Sequence, residues 1–103
     1  MIGDERIRLG EVGVDSGQLL VIDPCYLAQW DHERLYDEVC RITTEDFGGQ
    51  LEYAPGRPGL AVAFSSGFGD SAYEVWATVR DFGPWGRRLA RVEIDLLGEE
   101  DDL

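Results

Sequence analysis

The sequence predicts a mainly β protein: one compact antiparallel barrel or sandwich of about seven short strands, with at most one short helix. Three observations predict it. Residues 73–80 alternate, with Tyr73, Val75, Ala77 and Val79 on one face and Glu74, Trp76, Thr78 and Arg80 on the other, the period of a half-buried strand. Leu19-Leu20-Val21-Ile22 is an unbroken apolar run of strand length, as expected for a strand buried on both faces. Groups of Asp, Ser, Gly and Pro punctuate the chain at short intervals, at 15–17, 48–49, 54–59, 66–70 and 81–86.

In the first strand, Arg6 to Val14, Ile7 and Leu9 point inward, but the apolar phase then moves to Val12 and Val14 across Gly10. That shift means a bulge at Gly10 or a junction of two short strands. Asp15-Ser16-Gly17 turns the chain into the central strand from Gln18. Pro24 has no N–H and forces Asp23 into extended backbone, so Asp23 is held at the strand's end, as the cap of the next turn or as a functional carboxylate.

The segment 27–45 reads two ways. Leu35, Val39 and Ile42 fit a helical stripe with Asp31 as N-cap, whereas the β-branched run Val39-Cys40-Arg41-Ile42-Thr43-Thr44 and a turn at Gly48-Gly49 favour a hairpin. We assign a strand to about 36–44, after a short helical turn. Residues 54–59 read as a loop. In Leu60-Ala61-Val62-Ala63-Phe64 the large residues share one face and the alanines the other, so another element packs closely over Ala61 and Ala63. The last strand alternates from Arg88 to Leu96. The expected core is Leu20, Ile22, Val62, Phe64, Val75, Val79, Val92 and Ile94, and 98–103 reads as a flexible acidic tail of the single domain 1–103.

Composition narrows the function. The chain has 103 residues, 44% of them hydrophobic, and a formal charge of −12, so it folds rather than staying disordered. That charge repels phosphate backbones and anionic membranes, which argues against direct nucleic-acid or membrane binding and suits docking on a basic protein or imitation of DNA. No apolar run is long enough to span a bilayer and the N-terminal residues do not resemble a secretory signal, so the expectation is a cytoplasmic protein, of a bacterial cell or an infected host cell. All nine basic residues are arginine, and Arg80, Arg87, Arg88 and Arg91 are expected to serve as edge and face charges paired with acids.

Cys25 and Cys40 read as two reduced, buried thiols. His32, the only histidine, stands at no zinc spacing from them. A thiol nucleophile would need Cys25 beside His32, and a metal-dependent hydrolase would need Asp23, Asp70 and Asp81 to converge on magnesium or calcium. Neither pattern is present as a motif, so a non-enzymatic role without a cofactor is the favoured expectation.

The stretch Ser65 to Thr78 departs most from generic strand and loop. Gly67 and Gly69 flank Phe68 and permit a tight corner whose N–H groups face either Asp70 or a ligand. With Val14-Asp15-Ser16-Gly17-Gln18-Leu19-Leu20 and Asp23-Pro24-Cys25-Tyr26, the block Ser66-Gly67-Phe68-Gly69-Asp70-Ser71-Ala72-Tyr73-Glu74-Val75 resembles a family of small uncharacterised proteins of bacteria and their phages. Members read Ser-Gly-x-Gly-Asp-Gly-x-Tyr-x-Val at the last block, and Ser71 here replaces a glycine. The resemblance spans about 12–96 and implies a β-rich fold and a bacterial or phage origin; it names no substrate.

The favoured function is a small-ligand binding module lined by Asp23, Tyr26, Gly67, Gly69, Asp70, Tyr73, Trp76 and Arg80. Aromatic walls with a few polar groups suit a planar, nucleotide-like signal that a phage protein would sequester. This site requires the corner at Asp23 and Tyr26 to meet the corner at Gly69, Asp70 and Tyr73. An acidic protein-interaction module or DNA mimic with a basic partner is the alternative, and a metal-dependent hydrolase the third reading.

Overall fold

The computed structural model describes residues 4–27, 31–54 and 56–97. Over these residues the fold is mainly β, with six strands in two three-stranded antiparallel sheets. The strands are β1 (Glu5–Val14), β2 (Gln18–Ile22), β3 (Gly48–Ala54), β4 (Arg57–Ser65), β5 (Ser71–Asp81) and β6 (Arg87–Ile94). A short helix α1 (Pro24–Leu27) and a longer one, α2 (His32–Glu45), lie between β2 and β3. Chain contacts divide the molecule into two compact units, one holding 4–13 and 71–97 and the other 14–70.

In the first unit β5 is the central strand of the order β1-β5-β6. Its two-residue period is as expected, with Tyr73, Ala77 and Val79 buried. On β6, Ile94, Val92 and Leu89 stand opposite Val75, Ala77 and Val79, because a bulge between Thr78 and Val79 skips Ala90 and brings Leu89 into the apolar phase. Val92 and Leu89 nonetheless remain exposed. Ion pairs tie the other face together, Arg6 to Glu93 at 3.1 Å, Arg8 to Glu74 at 2.8 Å and Arg80 to Asp4 through two nitrogens at 3.0 and 3.1 Å, while Arg87, opposite Asp81 at the end of the Tyr73 face, pairs with Glu5. Arg80 and Arg87 are thus the paired edge and face charges the sequence suggested, while Arg88 donates to the Trp85 carbonyl at 3.0 Å. β1 runs unbroken through Gly10, whose φ of 154° marks the place where the apolar phase changes.

In the second unit the order is β2-β4-β3, with α2 packed on one face. The core lies between them. It comprises Leu35, Val39 and Ile42 of α2 with Leu51, Leu60, Ala61 and Ala63 of the sheet, and Leu20, Ile22 and Tyr26 pack against it. The register shows why α2 comes so close: Gly49 lies opposite Ala63 and Leu51 opposite Ala61, so the face under the helix is built of small residues. A side chain at Gly49 would begin 3.1 Å from Ile42 Cγ2. The element expected over the alanines is therefore α2, and Ala63 is 0% exposed beneath it.

Several expectations are corrected. Residues 36–44 are helix, not strand: the Asp31 carboxylate accepts from the Glu33 N–H at 2.9 Å, and Leu35, Val39 and Ile42 share the buried stripe. Burying that stripe outweighs the β-preference of Val39, Ile42 and Thr43, and the Thr43 hydroxyl is absorbed by the Val39 carbonyl at 2.8 Å. Gly48 and Gly49 begin β3 rather than making a turn, and β3 and β4 run into the presumed loop until Ala54 pairs with Arg57. The expected core is corrected too, since Val62 and Val92 are exposed, and the strand 19–22 is not buried on both faces, because Val21, which pairs with Val62 on the sheet face opposite α2, is 59% exposed. The acidic tail lies outside the described residues.

Candidate functional site

β2 pairs with β4 from Gln18 opposite Ser65 to Ile22 opposite Ala61. The corner after β2, with Asp23 and Tyr26, therefore follows the Ile22 end of this ladder, and the loop after β4 follows the Gln18 end, about 13 Å away along the strands. The two corners do not form one rim. This removes the juxtaposition on which the expected aromatic pocket depended.

Each corner is held by its own hydrogen bonds. Asp23 Oδ1 accepts from the Cys25 N–H at 3.0 Å and its carbonyl accepts from the Tyr26 N–H at 3.0 Å, so Asp23 caps α1 with Pro24 in the first turn. Tyr26 packs on the core of the second unit. In the other corner the work falls to Ser66 rather than Asp70. The buried Ser66 donates from Oγ to the Gly69 carbonyl at 2.8 Å, accepts from the Gly69 N–H at 3.0 Å, and sends its own N–H to the Gly17 carbonyl at 2.9 Å. Gly69, at φ 88°, supplies the left-handed step that closes this turn.

The remaining predicted residues belong to the first unit. Tyr73 is buried, Trp76 lies under the Arg6 guanidinium at 4.2 Å, and Arg80 is held by Asp4. The Asp4 carboxyl is kept below its ordinary range by the hydrogen bond from Arg80, and Arg80 is raised in turn. These are sheet-face contacts. Of the eight predicted residues, Gly67 alone lines one of the two grooves described next.

Both grooves lie within the second unit. The larger, about 670 Å³, is open and runs past the C-terminal end of α2, lined by Thr43 to Phe47 on one side and Ser65, Ser66 and Gly67 on the other. No lining residue is basic, and α2 carries no basic residue in its last turn. Glu45 is shared with Arg41 at 3.3 Å, and Asp46 accepts from the Phe47 N–H at 2.8 Å. Phe47 is pinned from both sides, because its carbonyl accepts from the Ser65 N–H at 2.9 Å, yet its side chain is 89% exposed. Phe68, next to Gly67, is also exposed.

The smaller groove, about 220 Å³, lies along β2 and α2, with Leu20, Leu35 and Val39 as apolar lining and Gln18 and Tyr36 as polar lining. Gln18 Nε2 donates to Thr43 Oγ1 at 3.0 Å and meets Cys40 Sγ at 3.5 Å. The Tyr36 phenol is held above its ordinary range by its hydrogen bond with Cys40. Cys40 is partly buried, and Cys25, expected to be buried, is exposed; both are free.

Among the described residues, no three His, Cys, Asp or Glu side chains gather where a metal could be held, so Asp23, Asp70 and Asp81 do not converge as the hydrolase reading required. No helix of the described residues is long and apolar enough to cross a membrane. No protein-family model, curated protein or solved structure matches the chain.

Sequence reasoning missed Phe47, Gln18, Tyr36 and Cys40. Phe47 carried a readable signal, an isolated aromatic between Asp46 and Gly48, but assigning a strand to 36–44 hid it. The others become neighbours only once 32–45 is a helix, which turns Tyr36, Cys40 and Thr43 toward Gln18.

Proposed function

We propose that the protein is an acidic interaction module that docks a basic segment of a partner protein in the groove at the C-terminal end of α2. The observation that carries this reading is Phe47, whose backbone N–H and carbonyl are both hydrogen-bonded while its large aromatic side chain is left in water at a groove wall. Keeping its ring uncovered forgoes burial worth about 25 cal/mol per Å². Because its backbone is already ordered, docking costs only the ring's own rotamer freedom, which suits an interface anchor.

Charge selects the occupant. The groove offers hydroxyls and carboxylates with no cation, the helix end adds its partial negative charge, and the formal charge of −12 draws cationic partners from a distance. An arginine suits this place best: its planar guanidinium would stack on Phe47 while its N–H groups reach Asp46 or the Thr44 hydroxyl. A phosphorylated ligand would meet no basic group in this groove.

A photo-reactive amino acid placed at Phe47 tests the reading in cells that make the protein. Cross-links concentrated on one Lys/Arg-rich segment of one protein, absent when the same probe replaces exposed Val21, are expected. Equal cross-linking from both positions, or a contact segment without basic residues, overturns it.

A further inference from the structure

β6 forms one edge of the sheet β1-β5-β6, and its residues from Arg87 to Glu93 are all exposed. An uncovered edge strand offers its outward N–H and C=O groups to any strand that matches it. Which residues turn outward follows from the ladder. The Phe82 N–H donates to the Gly86 carbonyl at 2.9 Å, and bonded and non-bonded pairs alternate along an antiparallel ladder, so Arg80–Arg88, Thr78–Arg91 and Trp76–Glu93 are the bonded pairs. Arg87, Leu89, Val92 and Ile94 lie between them, with their backbone groups turned to the free edge. The same four residues share the Tyr73 face, because the bulge that skips Ala90 shifts both alternations together.

We propose that β6 pairs antiparallel with β6 of a second copy of this chain, about a twofold axis between Ala90 and Arg91, so that the three-stranded sheets of the two copies join edge to edge. The outward positions 87, 89, 92 and 94 have the same spacing read in either direction, so Arg87 bonds to Ile94 of the other copy and Leu89 to Val92. The side chains agree with this register. Leu89 and Val92, 56% and 53% exposed in one copy, cover each other twice on the Tyr73 face. On the opposite face Arg88 meets Glu93 of the other copy twice. Among the described residues Arg88 has no ion pair and reaches only the Trp85 carbonyl, while Glu93 has a second oxygen beside the one that holds Arg6. Arg91 falls opposite Ala90 rather than a cation. A bulge ordinarily guards an edge against chance pairing, because a regular strand loses step with it; another β6 carries the same bulge and keeps step. That selects a second copy over an unrelated strand.

Sedimentation equilibrium and amide hydrogen exchange of the full chain test this together. One strand per copy makes a small interface, so a monomer–dimer equilibrium with a Kd of about 0.01–1 mM is expected. Raising the concentration through that range should slow exchange at the amides of Arg87, Leu89, Val92 and Ile94 and leave those of Arg88, Arg91 and Glu93, already bonded to β5, unchanged. Arg88→Glu sets like charges opposite each other and should weaken the dimer at least about fivefold, and adding Glu93→Arg to it should restore the dimer. If the variants fail to fold, the exchange pattern of the unaltered chain still decides. A monomer throughout, a dimer whose new protection falls on other residues, a dimer that Arg88→Glu leaves intact, or a folded double variant that stays weakened overturns the proposal.

Discussion

Adding one methyl group at Gly48 tests how the Phe47 corner is built. A Cβ at this position would sit 2.5 Å from the Ala63 carbonyl oxygen, 2.8 Å from Phe64 Cβ and 2.9 Å from Phe64 Cα. Two of these three atoms belong to the backbone of the paired strand, so relief requires β3 to move away from β4 where Gly48 faces Phe64. Strand propensity alone would make alanine the better residue by roughly 0.5–1 kcal/mol. Overpacking against atoms that cannot yield costs about 1–3 kcal/mol, so the clash wins and Gly48→Ala should destabilise by about 0.5–2 kcal/mol net.

Gly13 in β1 is the control, because a Cβ there meets nothing within 4 Å and its φ is not in the left-handed region. Gly13→Ala should leave stability unchanged or raise it by about 0.4–1 kcal/mol. Urea unfolding followed by far-ultraviolet circular dichroism reads both. A Gly48→Ala midpoint at or above that of the unaltered chain would refute the packing argument and, with it, the claim that Phe47 is presented by a rigid corner.

Loss of the Asp31 cap in Asp31→Ala should cost about 0.5–2 kcal/mol and raise amide exchange first in the opening turn of α2. Leu51, 1% exposed beneath α2, should cost about 2–5 kcal/mol when cut to alanine, and a loss below 1 kcal/mol would place the core elsewhere. Asp4 gives a pH signature. Its folded pKa lies below its ordinary 3.8, so its contribution is present above that value and is lost as the pH falls through the lowered one. Melting curves of the unaltered chain and Asp4→Asn should differ most near neutrality, converge in acid and converge with added salt; a gap that widens in acid contradicts the Arg80 pairing.

The β-sheets were legible because their signal is local. Alternation in β5, the apolar run of β2 and the alanine face of β4 each follow from residues adjacent in sequence, and each marks its strand in the structure, although β2 is covered on one face only. The helix was not, because Leu35, Val39 and Ile42 compete in one segment with β-branched neighbours, and only the small-residue bed of Gly49, Ala61 and Ala63 decides between them. Misplacing that element also misplaced the site. Asp23 and Asp70 resemble each other in sequence, each three residues before a tyrosine, but resemblance of corners says nothing about which end of a ladder each occupies. That is settled by register, which Gln18 opposite Ser65 fixes through long-range pairing.

Chemical-shift mapping with a defined peptide asks whether the groove at the end of α2 holds a basic segment. A short acetylated, amidated peptide with two arginines around a leucine is compared with its citrulline counterpart, which keeps the shape and loses the charge. The arginine peptide should shift the amides of Thr43 to Phe47 and Ser65 to Gly67, weaken with salt, and lose these shifts in Phe47→Ala, while the citrulline peptide binds at least about fivefold more weakly. Shifts spread evenly over the acidic surface, or equal binding of the two peptides, would contradict a basic-segment docking groove at the end of α2.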